Sequence, residues 1–284
     1  MVDTLQEPLA QTRDTLHRLR DAKGWILDMD GVLYRGAEIL PGVKELLDAL
    51  TLRERPVMLA TNNSMSTPEA YEHKLAAMGI DVPADAVITS ATATRDYLTR
   101  TLPDGAGIYV IGMPALREQL FAGTTFHAVQ YGEEQPAAVV VGLDLAFTYD
   151  KLKAGHEAIR NGALFIATNA DSTLPLETGL VPGAGSIVAA LAAAAEQSPI
   201  VIGKPETPML LAAMSRMGTT PHETVMLGDR LDTDILAGER AGMPTVLVLS
   251  GVSTRDDLAT AEALPDIVVS DLPSLVEALT GETS

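Results

Sequence analysis

The sequence predicts an α/β protein with a Rossmann-like, mainly parallel sheet core and a smaller α/β domain inserted into it. Three observations carry that prediction. Apolar runs of strand length alternate with helix-period patterns almost throughout. The turn-rich "TLPDGAG" (101–107) and the polar "EQSP" (196–199) bracket a block with its own strands and helices. The polar clusters that could carry chemistry follow directly on strand-like runs. The expected division is 1–102 with 199–284 for the core and 103–198 for the insert.

Taken in order, residues 4–20 read as a leading helix and "GWILDMD" as a buried strand. In "PGVKELLDALTLR" the apolar Val43, Leu46, Leu47 and Leu50 recur at helical spacing. "PVMLATNN" is a second strand. "TPEAYEHKLAAMG" is a helix with Thr67 as N-cap, Pro68 at its first position and Gly79 just past its end. Residues 90–100 form a helix that fits either the core or the hinge. Inside the insert, "GIYVIG", "AAVVVG" and "ALFIA" are strands separated by helices over 114–121 and 149–161. "IVIG", "TVMLG" and "PTVLVLSG" resume the strand pattern, and residues 272–279 form a last helix.

Composition narrows the functional classes. The chain has 284 residues, 46% hydrophobic and 20% charged, enough to bury a core in each of two modest domains. It has no cysteine, which removes any disulfide tie to an oxidising compartment, and its start lacks the apolar segment of a secretory signal, so a cytoplasmic location is expected. The longest apolar run, residues 187–195, falls far short of the ~20 residues that cross a bilayer, so no membrane partner is expected. A formal net charge of −18 repels a phosphate backbone and argues against nucleic acid. It also opposes a small anionic substrate unless local cations, such as a divalent metal, overcome it.

Four strand ends offer that chemistry. In an extended strand, residues i and i+2 share a face roughly 6.5–7 Å apart, so Asp28 and Asp30 of "LDMDG" point together. Two carboxylates so placed suit a nucleophile and a general acid; the alternative, which the motif taken alone favours, is a strand ending in a polar turn. Gly31 then permits a backbone conformation closed to other residues and a close ligand approach. In "LATNNS", Thr61, Asn62 and Asn63 offer an anion cradle of hydroxyl, amide and backbone N–H groups, or simply a capping turn. Lys204 of "IVIGKP" could offset converging negative charge, or be a solvated surface cation. "VMLGDRLDTDI" presents Asp229, Asp232 and Asp234, hard oxygen ligands of the kind magnesium takes; Asp232 or Asp234 could instead cap the following helix.

Together, "DMDGVLY", "TNNS", "GKP" and "GDRLDTDI" resemble the four successive motifs of the haloacid dehalogenase superfamily, and more narrowly its phosphatase subclass IIA. That subclass includes p-nitrophenylphosphatase-like, phosphoglycolate and pyridoxal phosphatases. The likeness runs from Trp25 onward and takes in "GLDLAFTYDKL" and "ATNADSTLPLETGLVPGAGS" of the insert. It implies a Mg²⁺-dependent phosphatase of small phosphorylated metabolites. Asp28 would be the nucleophile that forms an aspartyl-phosphate, and Asp30 the acid and base. Thr61, Asn62 and Lys204 would hold the phosphoryl group. Asp28, the Asp30 carbonyl and Asp229 would bind the metal, with Asp234 behind them. Dehalogenases of the superfamily lack the second aspartate, so Asp30 favours phosphoryl transfer.

The insert resembles the subclass cap, which closes over the site and selects the leaving group. Leu174 stands where pyridoxal phosphatases carry a histidine, which favours a small aliphatic ester such as phosphoglycolate or a sugar phosphate. The subclass is also compatible with a homodimer formed through the cap. Two other readings of the same residues are a non-catalytic sensor of phosphorylated metabolites and a phosphotransferase or mutase; retention of both Asp28 and Asp30 argues against the sensor. "GLVPGAGS" lacks the lysine of a phosphate-binding loop and reads as a glycine turn opening a helix over 186–195. The five histidines are scattered and Trp25 reads as core packing.

Overall fold

The computed structural model describes residues 16–176 and 179–281. Most of the expected leading helix lies outside those residues; the described part, 16–21, is helical. In chain order the strands of the two larger sheets are β1 (Gly24–Asp28), β2 (Val57–Thr61), β3 (Val87–Thr89), β4 (Gly107–Ile111), β5 (His127–Ala128), β6 (Ala138–Val141), β7 (Leu164–Ala167), β8 (Ile200–Val201), β9 (Thr224–Gly228), β10 (Thr245–Val248) and β11 (Ile267–Val269). The chain divides into two compact units: Met1–Ala60, Tyr71–Ile88 and Lys204–Ser284 form the first, and Thr61–Ala70 with Thr89–Gly203 the second.

The first unit is built on a six-stranded sheet in the order β11-β10-β9-β1-β2-β3. Successive pairs from β11 to β2 are parallel, with Leu27 opposite both Leu227 and Leu59. Alternation along each strand sends side chains to opposite faces. Trp25, Leu27, Val225, Leu227, Val246 and Val248 join one buried cluster with Leu46 and Leu275, whereas Leu247 joins another with Ile235 and Leu258. Both faces are therefore covered, which is why these strands read as unbroken apolar runs. Trp25 is core, as its sequence context suggests. The strand order reverses between β1 and β9, the place where open α/β sheets leave a crevice at the strand carboxyl ends.

The second unit carries an all-parallel sheet in the order β8-β7-β6-β4-β5. Val139, Val141 and Phe165 pack beneath helices Tyr149–Arg160 and Ala184–Ala195 through Ile159, Ile187 and Leu191. Residues 200–201, read from sequence as a return to the core, instead pair with β7, because their run is two residues long and its partners lie in the insert. Helix Ser90–Thr101 also groups with this unit; Thr89 caps it by accepting from the Thr92 N–H. A separate antiparallel hairpin joins Thr173–Leu176 to Gly179–Pro182. Among the described residues no helix is long and apolar enough to cross a membrane.

Candidate active site

β1 and β9 are adjacent and end in register, so Asp28 and Asp229 leave neighbouring carboxyl ends of the first unit's sheet. Asp234 reaches the same point from the turn of π-helix at Leu231–Ile235. Carboxylate oxygens of Asp28, Asp229 and Asp234 all lie within 4.8 Å of one another. Asp229 and Asp234 are each only 1% exposed, and Lys204 is 2% exposed.

Lys204 is the counter-charge to this cluster. Its Nζ lies 2.5 Å from Asp28 Oδ1 and 2.6 Å from Asp234 Oδ1, and donates to the Ala60 carbonyl at 3.4 Å. The alternative reading of Lys204 as a solvated cation is thereby excluded. Burial would lower its pKa, yet the Asp234 and Asp28 carboxylates hold it above the usual lysine value. Asp234 is pinned as well: its Oδ2 accepts from the backbone N–H groups of Asp229 and Arg230 at 3.2 and 3.1 Å. Asp232 takes no part; it is exposed and pairs with Arg230 at 2.7 Å.

Three carboxylates facing one ammonium leave an excess of negative charge. Burial pushes the Asp28 carboxyl up to about 8, against the pull of Lys204 and with the help of Asp234 and Asp229. Burial likewise raises Asp229, to about 6, with Asp234 adding to the rise and the Val252 N–H opposing it. Asp229 Oδ2 accepts that N–H at 2.7 Å, while its buried Oδ1 has no hydrogen-bond partner among the described residues. An ionised oxygen left so in the interior costs several kcal/mol unless a cation meets it. Clustered hard oxygens, a net negative charge and that orphaned atom together fit a divalent cation.

Backbone packs closely against the Asp229 carboxylate. Gly31 has φ 86°, and a Cβ there would sit 2.4 Å from Asp229 Oδ2. At Gly251 the corresponding distance is 1.9 Å. Any larger residue at either position would displace the carboxylate. Asp30 is exposed beside Gly31, and an isolated bridge joins it to Tyr34. Sequence reasoning missed the loop after β10: Gly251, the Val252 N–H, and Ser253, whose Oγ accepts from the Leu231 N–H at 3.0 Å. The available signal was "VLVLSGVS", a buried strand followed at its carboxyl end by small residues.

Thr61, Asn62, Asn63 and Leu174 are grouped with the second unit, Thr61 being also the last residue of β2. Thr61 Oγ1 accepts from the Asn63 N–H at 3.2 Å, and Asn63 Oδ1 from the Met65 N–H at 2.8 Å. The Asn62 carbonyl accepts from Ser90 Oγ and Asn169 Nδ2 at 2.6 and 2.9 Å, and Asn62 Nδ2 donates to Asp171 Oδ2 at 3.2 Å. Asp171 was not singled out in the sequence. Asn62, Asn63, Asp171 and Leu174 line one cavity of about 90 Å³.

This geometry agrees with the similarity of the chain to known proteins. The family model described as haloacid dehalogenase-like hydrolase matches residues 25–123, and a second, described as HAD-hydrolase-like, matches residues 201–275. An acid sugar phosphatase of Staphylococcus aureus is 38% identical over 92% of this chain and 99% of its own length. The chain belongs to the haloacid dehalogenase-like hydrolases. Within them it is an enzyme of the phosphatase subclass IIA. The crystal structure of a 4-nitrophenylphosphatase from Thermotoga maritima is similar with a TM-score of 0.85 and 37% identity, covering 93% of this chain and 99% of that one. A glycerol phosphate phosphatase from Mycobacterium tuberculosis, solved in complex with magnesium, is similar with a TM-score of 0.81 and 33% identity, over 90% of this chain and 76% of that one.

Proposed function

We propose that this haloacid dehalogenase-like hydrolase is a magnesium-dependent phosphatase that cleaves small phosphomonoesters through an aspartyl-phosphate on Asp28. The supporting observation is the cluster of Asp28, Asp229 and Asp234, two of them paired with the buried Lys204, with Asp229 Oδ1 left without a partner among the described residues. Asp28, the Asp30 carbonyl and Asp229 would hold magnesium, with Asp234 bracing Lys204 and the β9 loop behind them. When bound, the ion supplies two positive charges beside Asp28 and the phosphoryl oxygens.

An Asp28 oxygen forms a bond to phosphorus as the ester P–O bond breaks, while Asp30 gives its proton to the departing alkoxide. Asp30, now ionised, then takes a proton from a water whose oxygen attacks phosphorus. The bond to Asp28 breaks, and inorganic phosphate and the free carboxylate result. The exposure of Asp30 suits it to exchange a proton with both alcohol and water. Lys204 holds charge on the phosphoryl oxygens, and Thr61, Asn62, Asn63 and the amides about Gly31 supply neutral donors.

The second unit serves in this reading as the cap that selects the leaving group. The substrate class is a small aliphatic phosphomonoester such as phosphoglycolate or a sugar phosphate. The S. aureus and M. tuberculosis relatives, named for sugar phosphate and glycerol phosphate, support that class. Phosphate release from p-nitrophenyl phosphate with magnesium tests the proposal. Full activity in Asp28→Asn would refute the nucleophile, and activity that survives exhaustive chelation would refute the metal.

A further inference from the structure

We propose that the loop after β10, residues 250–253, is a brace that sets the spacing between the Asp30 carbonyl and the Asp229 carboxylate, with Ser250 as a positioning residue for magnesium. This rests on the metal assignment of the proposed function and adds to it a residue outside the ligand set. All the residues involved belong to the first unit.

One end of the loop holds Asp229. The Val252 N–H donates to Asp229 Oδ2 at 2.7 Å, and the next N–H, that of Ser253, donates to the Asp229 carbonyl at 3.0 Å. Two consecutive amides thus fix the carboxylate and the backbone of one residue together. Ser253 Oγ accepts from the Leu231 N–H at 3.0 Å, which ties this end to the residues on both sides of Arg230.

The other end holds the turn after β1. Ser250 Oγ donates to the Gly31 carbonyl at 2.8 Å, and the Arg35 guanidinium donates to the Ser250 carbonyl. The Gly31 N–H donates to the Tyr34 carbonyl at 2.9 Å. The Asp30–Gly31 peptide is trans, so its carbonyl points opposite to that N–H and is turned away from Tyr34. The peptide units on the two sides of Gly31 are therefore both anchored, one by Tyr34 and the other by Ser250. Gly251 lies between the two ends of the brace. A Cβ there would fall 1.9 Å from Asp229 Oδ2, and one at Gly31 would fall 3.2 Å from the Gly251 Cα. Turn, loop and carboxylate pack in direct contact because neither position carries a side chain.

Magnesium demands near-ideal octahedral geometry at short distances, whereas calcium accepts larger and less regular oxygen shells. A brace that fixes two donors relative to each other therefore matters more for magnesium than for calcium. Isothermal titration calorimetry on the metal-free full chain at about pH 8 measures both ions. Ser250→Ala removes the hydroxyl and no charge. Its magnesium Kd should rise about fivefold, the scale of one neutral hydrogen bond, and its calcium Kd by less than about twofold. Ser250→Thr keeps the hydroxyl and should stay within about twofold of the wild type for both ions. Ser250 is only partly buried, and the Tm of each metal-free variant checks that the fold survives.

An unchanged magnesium Kd in Ser250→Ala, an equal loss for the two ions, or a Ser250→Thr chain as weak as Ser250→Ala overturns the proposal. A Ser250→Ala chain that no longer folds would show a structural role and overturns it as well. A wild type that binds neither ion overturns the metal assignment itself, and the brace with it.

Discussion

The acidic cluster of the first unit and the Thr61–Asn63 turn of the second solve opposite problems. The cluster gathers three carboxylates and an ammonium, with Asp229, Asp234 and Lys204 almost fully buried, and backbone N–H groups hold two of the acids in place. The turn gathers neutral dipoles whose groups mostly fix each other, with the Asp171 carboxylate accepting from Asn62. Buried charge is costly, and in the cluster the shared Lys204 ammonium and the backbone N–H groups offset it. Neutral donors cost less to bury than charges, and in the proposed function these hold the phosphoryl oxygens. Mutations in the cluster should therefore abolish chemistry or stability outright, while those in the turn should grade affinity.

The largest expected effect is on Asp28. Asp28→Asn removes the attacking oxygen's charge but keeps a group of the same shape, and kcat should fall by about 10³-fold or more. Phosphate release from p-nitrophenyl phosphate measures this. A loss of tenfold or less would place the cluster on a par with the turn and erase the contrast between them.

Lys204→Met comes next, because it strands Asp28 and Asp234 without their shared cation. Breaking a buried ion pair on one side costs about 3–5 kcal/mol. Thermal denaturation should show a large fall in Tm, and added magnesium should recover part of it. An unchanged Tm would mean that Lys204 serves only the phosphoryl group.

Much of this contrast is legible in the sequence. Strand ends are set by local pattern, so "ILDMDG", "MLATNNS" and "VMLGDR" place their polar residues at carboxyl ends, where the fold has them. Sequence cannot fix which distant loops converge there. The Val252 N–H on Asp229 and the Asp171 carboxylate on Asn62 bridge 23 and 109 positions. Residues 200–201 are legible as a strand but not as a strand of the insert's sheet, for a related reason: a run that short carries no signal of its partner.

The third prediction concerns protons and metal. Asp28 and Asp229 have their pKa values raised, to about 8 and about 6, so the metal-free fold favours their protonated forms. That stabilisation is full below the ordinary carboxyl range near 3.8 and is lost as pH rises through 6 and then 8. Magnesium needs the ionised forms, so its binding should release protons, and its effect on Tm should grow from pH 5.5 to pH 8. A Tm shift independent of pH would mean that the carboxyls are already ionised without metal.

The smallest effect belongs to the turn. Asn63→Ala removes the acceptor for the Met65 N–H and one wall of the cavity, but no charge. A hydrogen bond of this kind contributes about 1 kcal/mol, so KM for small esters should rise about fivefold while kcat stays within about twofold. The ratio of kcat to KM changes is what separates the two regions: a variant that lowered kcat as far as Asp28→Asn does would show that the neutral turn carries the chemical step too. A graded KM effect would instead fix the division of labour, with charge at the strand ends performing the displacement and dipoles in the turn setting how firmly the ester is held.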